Sequence, residues 1–153
     1  MRLTSPAFNA GSRIPARHTC EGPNLSPRLV WADPPAEAKS FALLCDDPDA
    51  PGGTWRHWGI FDISPEVREL AEGYPAQATV GKTRQAINDF RRLGYGGPCP
   101  PPGHGVHHYH FRLFALDVAT LPLGAKARCA DVETALESHV LASCELVGTY
   151  SRK

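Results

Sequence analysis

The clearest pattern in the chain is a two-residue alternation from His107 to Leu116. His107, Tyr109, Phe111, Leu113 and Ala115 fall on one face, and His108, His110, Arg112, Phe114 and Leu116 on the other. Successive side chains of a strand point to opposite faces, so this segment reads as a strand with one apolar side. Trp55 to Ile63 alternates too, with Trp55, His57, Gly59, Phe61 and Ile63 sharing a face. Trp58 and Ile60 on its other side predict a strand covered on both. Ser40 to Cys45 is a short apolar run stopped by DDPDAPGG, whose turn formers exclude a helix continuing through it. Shorter strands are expected near Arg2–Phe8 and Arg28–Trp31. Ser64-Pro65-Glu66 has the form of a helix start, serine as cap and proline at the first position, with Gly73 as its end. Residues 76–93 show no clear period and predict a long excursion. From Asp131, Val132, Ala135, Leu136, His139, Val140, Ser143 and Val147 recur at helical spacing until Gly148. The pattern predicts a mainly β chain with a short internal helix and a C-terminal helix.

Composition narrows this further. The 153 residues are one domain's worth, 1–153, able to bury a core without metal or disulfide. Fourteen glycines and fifteen prolines exceed the roughly 12 % of an average chain, which favours short elements and many turns. Sixteen basic and sixteen acidic residues cancel, so no global field recruits nucleic acid or anionic membrane. The local basic group Lys82, Arg84, Arg91 and Arg92, interrupted by Asp89, reads as solvated surface. Five cysteines without a CxxC pair argue against a secreted disulfide framework, and Cys99 reads as a buried free thiol. The first residues lack the apolar centre of a signal peptide, and no apolar run approaches a membrane span. A soluble, cytoplasmic protein is expected.

Candidate chemistry lies in two places. Asp46, Asp47 and Asp49 end one strand beside Pro48 and Pro51, where aspartates cap turns or hold ligands. His57 follows after a short glycine loop, near enough for a carboxylate to fix its tautomer. Downstream, His107 and Tyr109 share a strand face with Phe111 and Leu113 beyond them, two hydrogen-bonding groups at the mouth of an apolar floor. Alternation places His108 and His110 on the opposite face, and His104, before the strand, is set apart from the pair. No three ligands converge as zinc requires, so neither a metal nor another cofactor is expected. GxSxG and phosphate-loop motifs are absent.

DPDAP at 47–51, His57-Trp58 and GPCPPPGHGVHHY at 97–109 together resemble the phosphatidylethanolamine-binding protein family, in its bacterial and archaeal Raf kinase inhibitor-like branch. His18-Thr19-Cys20, Asn24-Leu25-Ser26-Pro27, Asn88-Asp89-Phe90 and the closing HVLASCELVGTYSR extend the resemblance along nearly the whole chain. It implies a Greek-key β-sandwich with an anion pocket formed by Asp47, Asp49, His57, His107 and Tyr109, walled by Pro98 and Pro101. It implies a non-enzymatic protein binding small phosphate- or carboxylate-bearing ligands such as phospholipid headgroups. Alternatives are inhibition of a kinase or protease by protein contact, or a hydrolase or metal-dependent activity in the same cleft. A homodimer and a cis Ala50–Pro51 bond are further implications. A tyrosine of the eukaryotic pocket has no counterpart in Gly52-Gly53-Thr54.

Overall fold

Strand-forming runs that are apolar on both faces must lie in the middle of a layered fold, and Ser40–Asp47 is buried along its whole length. The computed structural model describes residues 1–153. In chain order its strands are β1 (Arg2–Thr4), β2 (Leu29–Ala32), β3 (Ser40–Asp47), β4 (Trp55–Ile63), β5 (Glu69–Leu70), β6 (Thr79–Val80), β7 (Thr83–Gln85) and β8 (His107–Leu116), followed by helix α1 (Cys129–Leu136) and β9 (Val140–Tyr150). One sheet has the order β1-β2-β5, the other β6-β7-β4-β3-β8-β9, with every pair antiparallel. Their facing sides enclose the main core, in which Leu29 and Trp31 meet Phe41, Trp58, Ile60, Phe111 and Leu113. The outer side of the large sheet carries a second apolar cluster, where Ala42, Leu44 and Phe61 are covered by Cys129, Val132 and Leu136 of α1. The fold is a mainly β Greek-key sandwich with a helix on its outer face.

Several sequence expectations change. Ser64–Val67 forms a turn, closed by the Val67 N–H donating to the Ser64 carbonyl at 3.0 Å, and the chain re-enters a strand at Glu69, so the expected internal helix does not form there. The C-terminal helix stops at Leu136, passes through one 3-10 turn (Glu137–His139) and becomes the eleven-residue β9. The open edge of β8 decides this. Its ten residues pair along β9, a set of bonds that a continued helix would leave unmade. His139 accordingly ends that 3-10 turn, beyond α1, and pairs with Asp117 at 2.8 Å, away from the cleft. Ile63 sits in the main core while Phe61 is in the outer cluster, because Asp62 adopts φ 55° and shifts the alternation. Arg84 is only partly solvated. It pairs with Asp62 at 2.8 Å, donates to the Leu121 and Leu123 carbonyls and lies 4.8 Å from the Phe61 ring centroid.

Cys20 and Cys99 form a disulfide, correcting the expectation of a free Cys99. Counting cysteines could not reveal that the loops holding them pack together. The Gly97 N–H donates to Asn24 Oδ1 at 2.9 Å, and a Cβ on Gly97 would stand 2.1 Å from the His18 carbonyl oxygen. Such bridges persist mainly in oxidising compartments, which weighs against the cytoplasmic expectation. No helix is long and apolar enough to cross a membrane.

Candidate functional site

Three strand ends and two loops converge on one concave site. β3 ends at Asp47, and its bonded neighbours β4 and β8 begin their cores with His57 and with His107 and Tyr109. These four residues line a cleft of about 200 Å³ together with Ala50, Pro51, Trp55, Phe90, Cys99, Pro100 and Pro101. The volume lies below the roughly 300–1,000 Å³ of sites for drug-sized ligands, so the occupant is small. Asp47, His57, His107 and Tyr109 are all buried.

Each polar group is held by a specific partner. Asp47 Oδ1 accepts the Asp49 N–H at 2.8 Å, and Asp47 Oδ2 lies 2.6 Å from His107 Nδ1. A carboxylate fixes that nitrogen as the protonated one and turns Nε2 of His107 outward. Nε2 is met by His104 Nδ1 at 2.6 Å. His57 is tied twice to Gly96. Its Nδ1–H donates to the Gly96 carbonyl at 2.6 Å, and its own carbonyl accepts the Gly96 N–H at 2.9 Å. This leaves His57 Nε2 as the nitrogen available to the cleft. Burial pushes the His57 imidazole below the usual histidine range, against the opposing pull of the Gly96 carbonyl and of Asp47. His57 is therefore neutral at neutral pH, and its Nε2 is an acceptor.

Tyr109 stands between the two imidazoles, with ring centroids 5.2 Å from His57, edge-on, and 6.5 Å from His107, stacked. Its hydroxyl is buried with the Asp47 carboxylate nearby, but it makes no hydrogen bond of acceptable geometry within the chain. Burial, reinforced by the Asp47 charge, raises its pKa, so the hydroxyl keeps its proton and remains a donor. A buried unpaired hydroxyl costs of order 1–3 kcal/mol, which a ligand oxygen can recover. Phe90, whose ring is 5.3 Å from His57 and 5.4 Å from Trp55, supplies the apolar side.

Of the residues singled out from sequence, Asp47, His57, Pro101, His107 and Tyr109 come together. Asp49 and Pro98 do not line the cleft. The Asp49 carboxylate turns outward to accept from both the backbone and the ring of His108 at 2.8 Å, and the ring bond holds it below the usual carboxylate range. Pro98 is buried one position behind the disulfide, its carbonyl accepting the Cys20 N–H at 3.1 Å. Ala50–Pro51 is trans, since the chain contains no cis peptide. The Asp47–Asp49 hydrogen bond already folds the turn back. Sequence reasoning missed Phe90, Trp55 and Pro100. It also set His104 apart, because strand alternation cannot describe a residue on the loop before the strand.

Comparison with known proteins gives a consistent picture. Residues 4–151 match the family described as Phosphatidylethanolamine-binding protein. The chain is 50 % identical over 153 residues to a UPF0098 protein of Methanothermobacter thermautotrophicus, covering 99 % of each. It is 47 % identical over 152 residues to one of Aquifex aeolicus, covering 99 % of this chain and 89 % of that protein. Among solved structures, Escherichia coli YbcL, described as a member of the mammalian PEBP family, superposes with a TM-score of 0.93 at 33 % identity, covering 99 % of this chain and 98 % of the other. Carboxypeptidase Y inhibitor shares the fold alone, with a TM-score of 0.58 at 17 % identity, covering 99 % of this chain and 83 % of the other.

Proposed function

We propose, from the premise that this chain belongs to the phosphatidylethanolamine-binding protein family, that its cleft binds a small phosphate- or carboxylate-bearing ligand without transforming it. The observation that carries this reading is the buried Tyr109 hydroxyl, a donor without an acceptor on the floor of a concave site. His107 is the second donor. With Nδ1 committed to Asp47, a protonated His107 presents Nε2–H, and such charge-assisted bonds to an anion are the strong kind. Asp47 does not repel the ligand unopposed, because His107 and the Asp49 N–H already occupy its two oxygens. Its role is to orient the imidazole. Neutral His57 contributes an acceptor, which suits a ligand that also carries a proton, as hydrogen phosphate or the ammonium of phosphoethanolamine does.

Calorimetric titration with inorganic phosphate and with phosphoethanolamine tests this. Affinity is expected to fall as pH rises through the range in which imidazoles lose their proton. His107→Ala should weaken binding by about 1.5–3 kcal/mol, roughly ten- to a hundredfold. Constant affinity across that range, or an unaffected His107→Ala, rejects the reading. The stripe of α1 is covered by its own sheet and is not free to hold a second copy. The exposed large apolar residues are Trp55, Val106, Val140 and Leu141, and the last two, adjacent at the start of edge strand β9, are where a second copy would dock.

A further inference from the structure

The cleft's charged donor is not free in this structure. His107 Nε2, the nitrogen an anion would need, is 2.6 Å from Nδ1 of His104. His107 and Asp47 are buried, but His104 is exposed and is not among the residues that line the cleft. It stands on the rim, reaching inward with one ring nitrogen.

The loop around His104 stands open on either side of it. Gly103 and Gly105 flank it at φ 74° and 92°, and no atom lies within 4 Å of where either Cβ would be. The loop is anchored just before this point, by the Gly103 N–H donating to the Arg152 carbonyl at 3.0 Å and by Arg152 Nε donating to the Pro100 carbonyl at 2.7 Å. The His104 N–H closes a turn onto Pro101 at 3.1 Å. Beyond that turn, the contact with His107 is the one side-chain hydrogen bond of His104 to the body of the protein.

We infer that His104 is a gate on the anion site, competing with the ligand for Nε2 of His107 and released by protonation. This rests on the anion-binding reading given above. The competition is stoichiometric, because Nδ1 of His107 is held by Asp47 and only Nε2 remains. The bond between the rings needs one donor and one acceptor, so it forms when the pair shares a single proton between the facing nitrogens. When both imidazoles are protonated both facing nitrogens are donors, the bond is lost and like charges push His104 outward. Acidification thus does two things in the same direction: it charges His107 toward the anion and removes the competitor.

The surroundings bias these protons without replacing the gate. Asp47 faces His107 from β3, and Asp49, from the following turn, is close enough for His107 to stabilise its charge. His57 faces the cleft from β4 and is held neutral by burial. Tyr109 on β8 stays protonated. His108, next in sequence, is turned to the other face and paired with Asp49. On β9, Tyr150 stands opposite His107 in register and donates to Glu21, while Arg152 contacts the loop through its backbone and Pro100. None of these groups takes the His107 Nε2 position.

The test compares wild type with His104→Ala in phosphate titrations between about pH 5 and pH 8, with histidine ring nitrogens followed by NMR in the same samples. Freed of the competing hydrogen bond, the variant should bind phosphate roughly three- to tenfold more tightly in the middle of the range, where one added proton on the pair lets His107 Nε2–H donate to His104. It should converge on wild type at the acid end, where both rings are charged, and at the alkaline end, where a neutral His107 offers no Nε2–H, so its affinity rises at a higher pH than that of wild type. The ligand-free wild type should show a hydrogen-bonded His107 Nε2 that the variant lacks. Wild-type binding with a variant of equal or lower affinity and the same pH dependence overturns the gate while leaving the anion site intact. Absence of phosphate binding by both proteins across the range overturns the anion reading, and the gate with it.

Discussion

Asp46 and Asp47 are neighbours on one strand, yet they serve two differently built regions. Asp46 points to the outer face of the large sheet. There it pairs with Arg112, Arg112 reaches Glu133 of α1 at 3.6 Å, Glu133 pairs with Arg56 at 3.1 Å, and Glu145 pairs with His110 at 3.1 Å. The hollow these residues surround, about 330 Å³, has no hydrophobic lining residue. Asp47 points the other way into a cleft with half its lining apolar and far fewer charges. The richer cluster is the poorer candidate for a site. Its acids and bases neutralise one another and clamp α1 to β4 and β8, leaving only Arg112 Nε without a partner among buried atoms. In the Asp47 cleft the carboxylate is likewise satisfied, but a buried hydroxyl is left over beside two oriented imidazoles. Binding capacity follows unspent hydrogen-bonding groups in a concave site more closely than it follows charge density.

That contrast can be broken in three ways of decreasing size. The largest effect should come from the bridge that holds the cleft wall. Cys20 and Cys99 are 79 residues apart, and constraining a loop of that length restricts the unfolded chain by about 4.5 kcal/mol. A Cys20→Ser/Cys99→Ser protein should lose stability on that scale in denaturant melts, and should also bind phosphate more weakly as the wall loosens. Next, Asp46→Asn should cost about 2 kcal/mol of stability, since Arg112 keeps only its longer contact with Glu133. Phosphate affinity should be untouched, and a parallel loss of binding would show the two faces to be coupled through β3. The smallest change is Tyr109→Phe. Removing a hydroxyl with no partner should leave stability unchanged within about 0.5 kcal/mol or raise it, while phosphate binding falls about fivefold. A destabilised Tyr109→Phe would mean the hydroxyl has an internal role, and the contrast would lose its sharpest point.

Much of this was legible in the residues. β3, β4 and β8 follow directly from short apolar runs and alternation bounded by proline and glycine, because a strand's period of two is a local property. The pairing of His107 with Tyr109 on one inward face is legible for the same reason. The order of motifs along the chain carried the rest of the cleft, including Asp47 and His57. The tail was misread because Val140, Ser143 and Val147 satisfy a helical spacing, while Leu146, Gly148 and Tyr150 satisfy a strand's. Both patterns are present, and local sequence holds no preference strong enough to choose.

The sequence by itself determined the three central strands β3, β4 and β8, the inward face of β8 and the identity of the cleft's main polar groups. Tertiary structure decided what depends on distant segments meeting. The unpaired edge of β8 converted a plausible helix into β9, since its hydrogen bonds had nowhere else to go. Packing of the residue 15–27 segment on the residue 97–101 loop made a disulfide from two cysteines that spacing could not join. A glycine-flanked loop returned His104 to the nitrogen of His107 from which alternation had separated it. Periodicity reports which way a side chain faces along its own strand. It is silent on which other segment comes to face it.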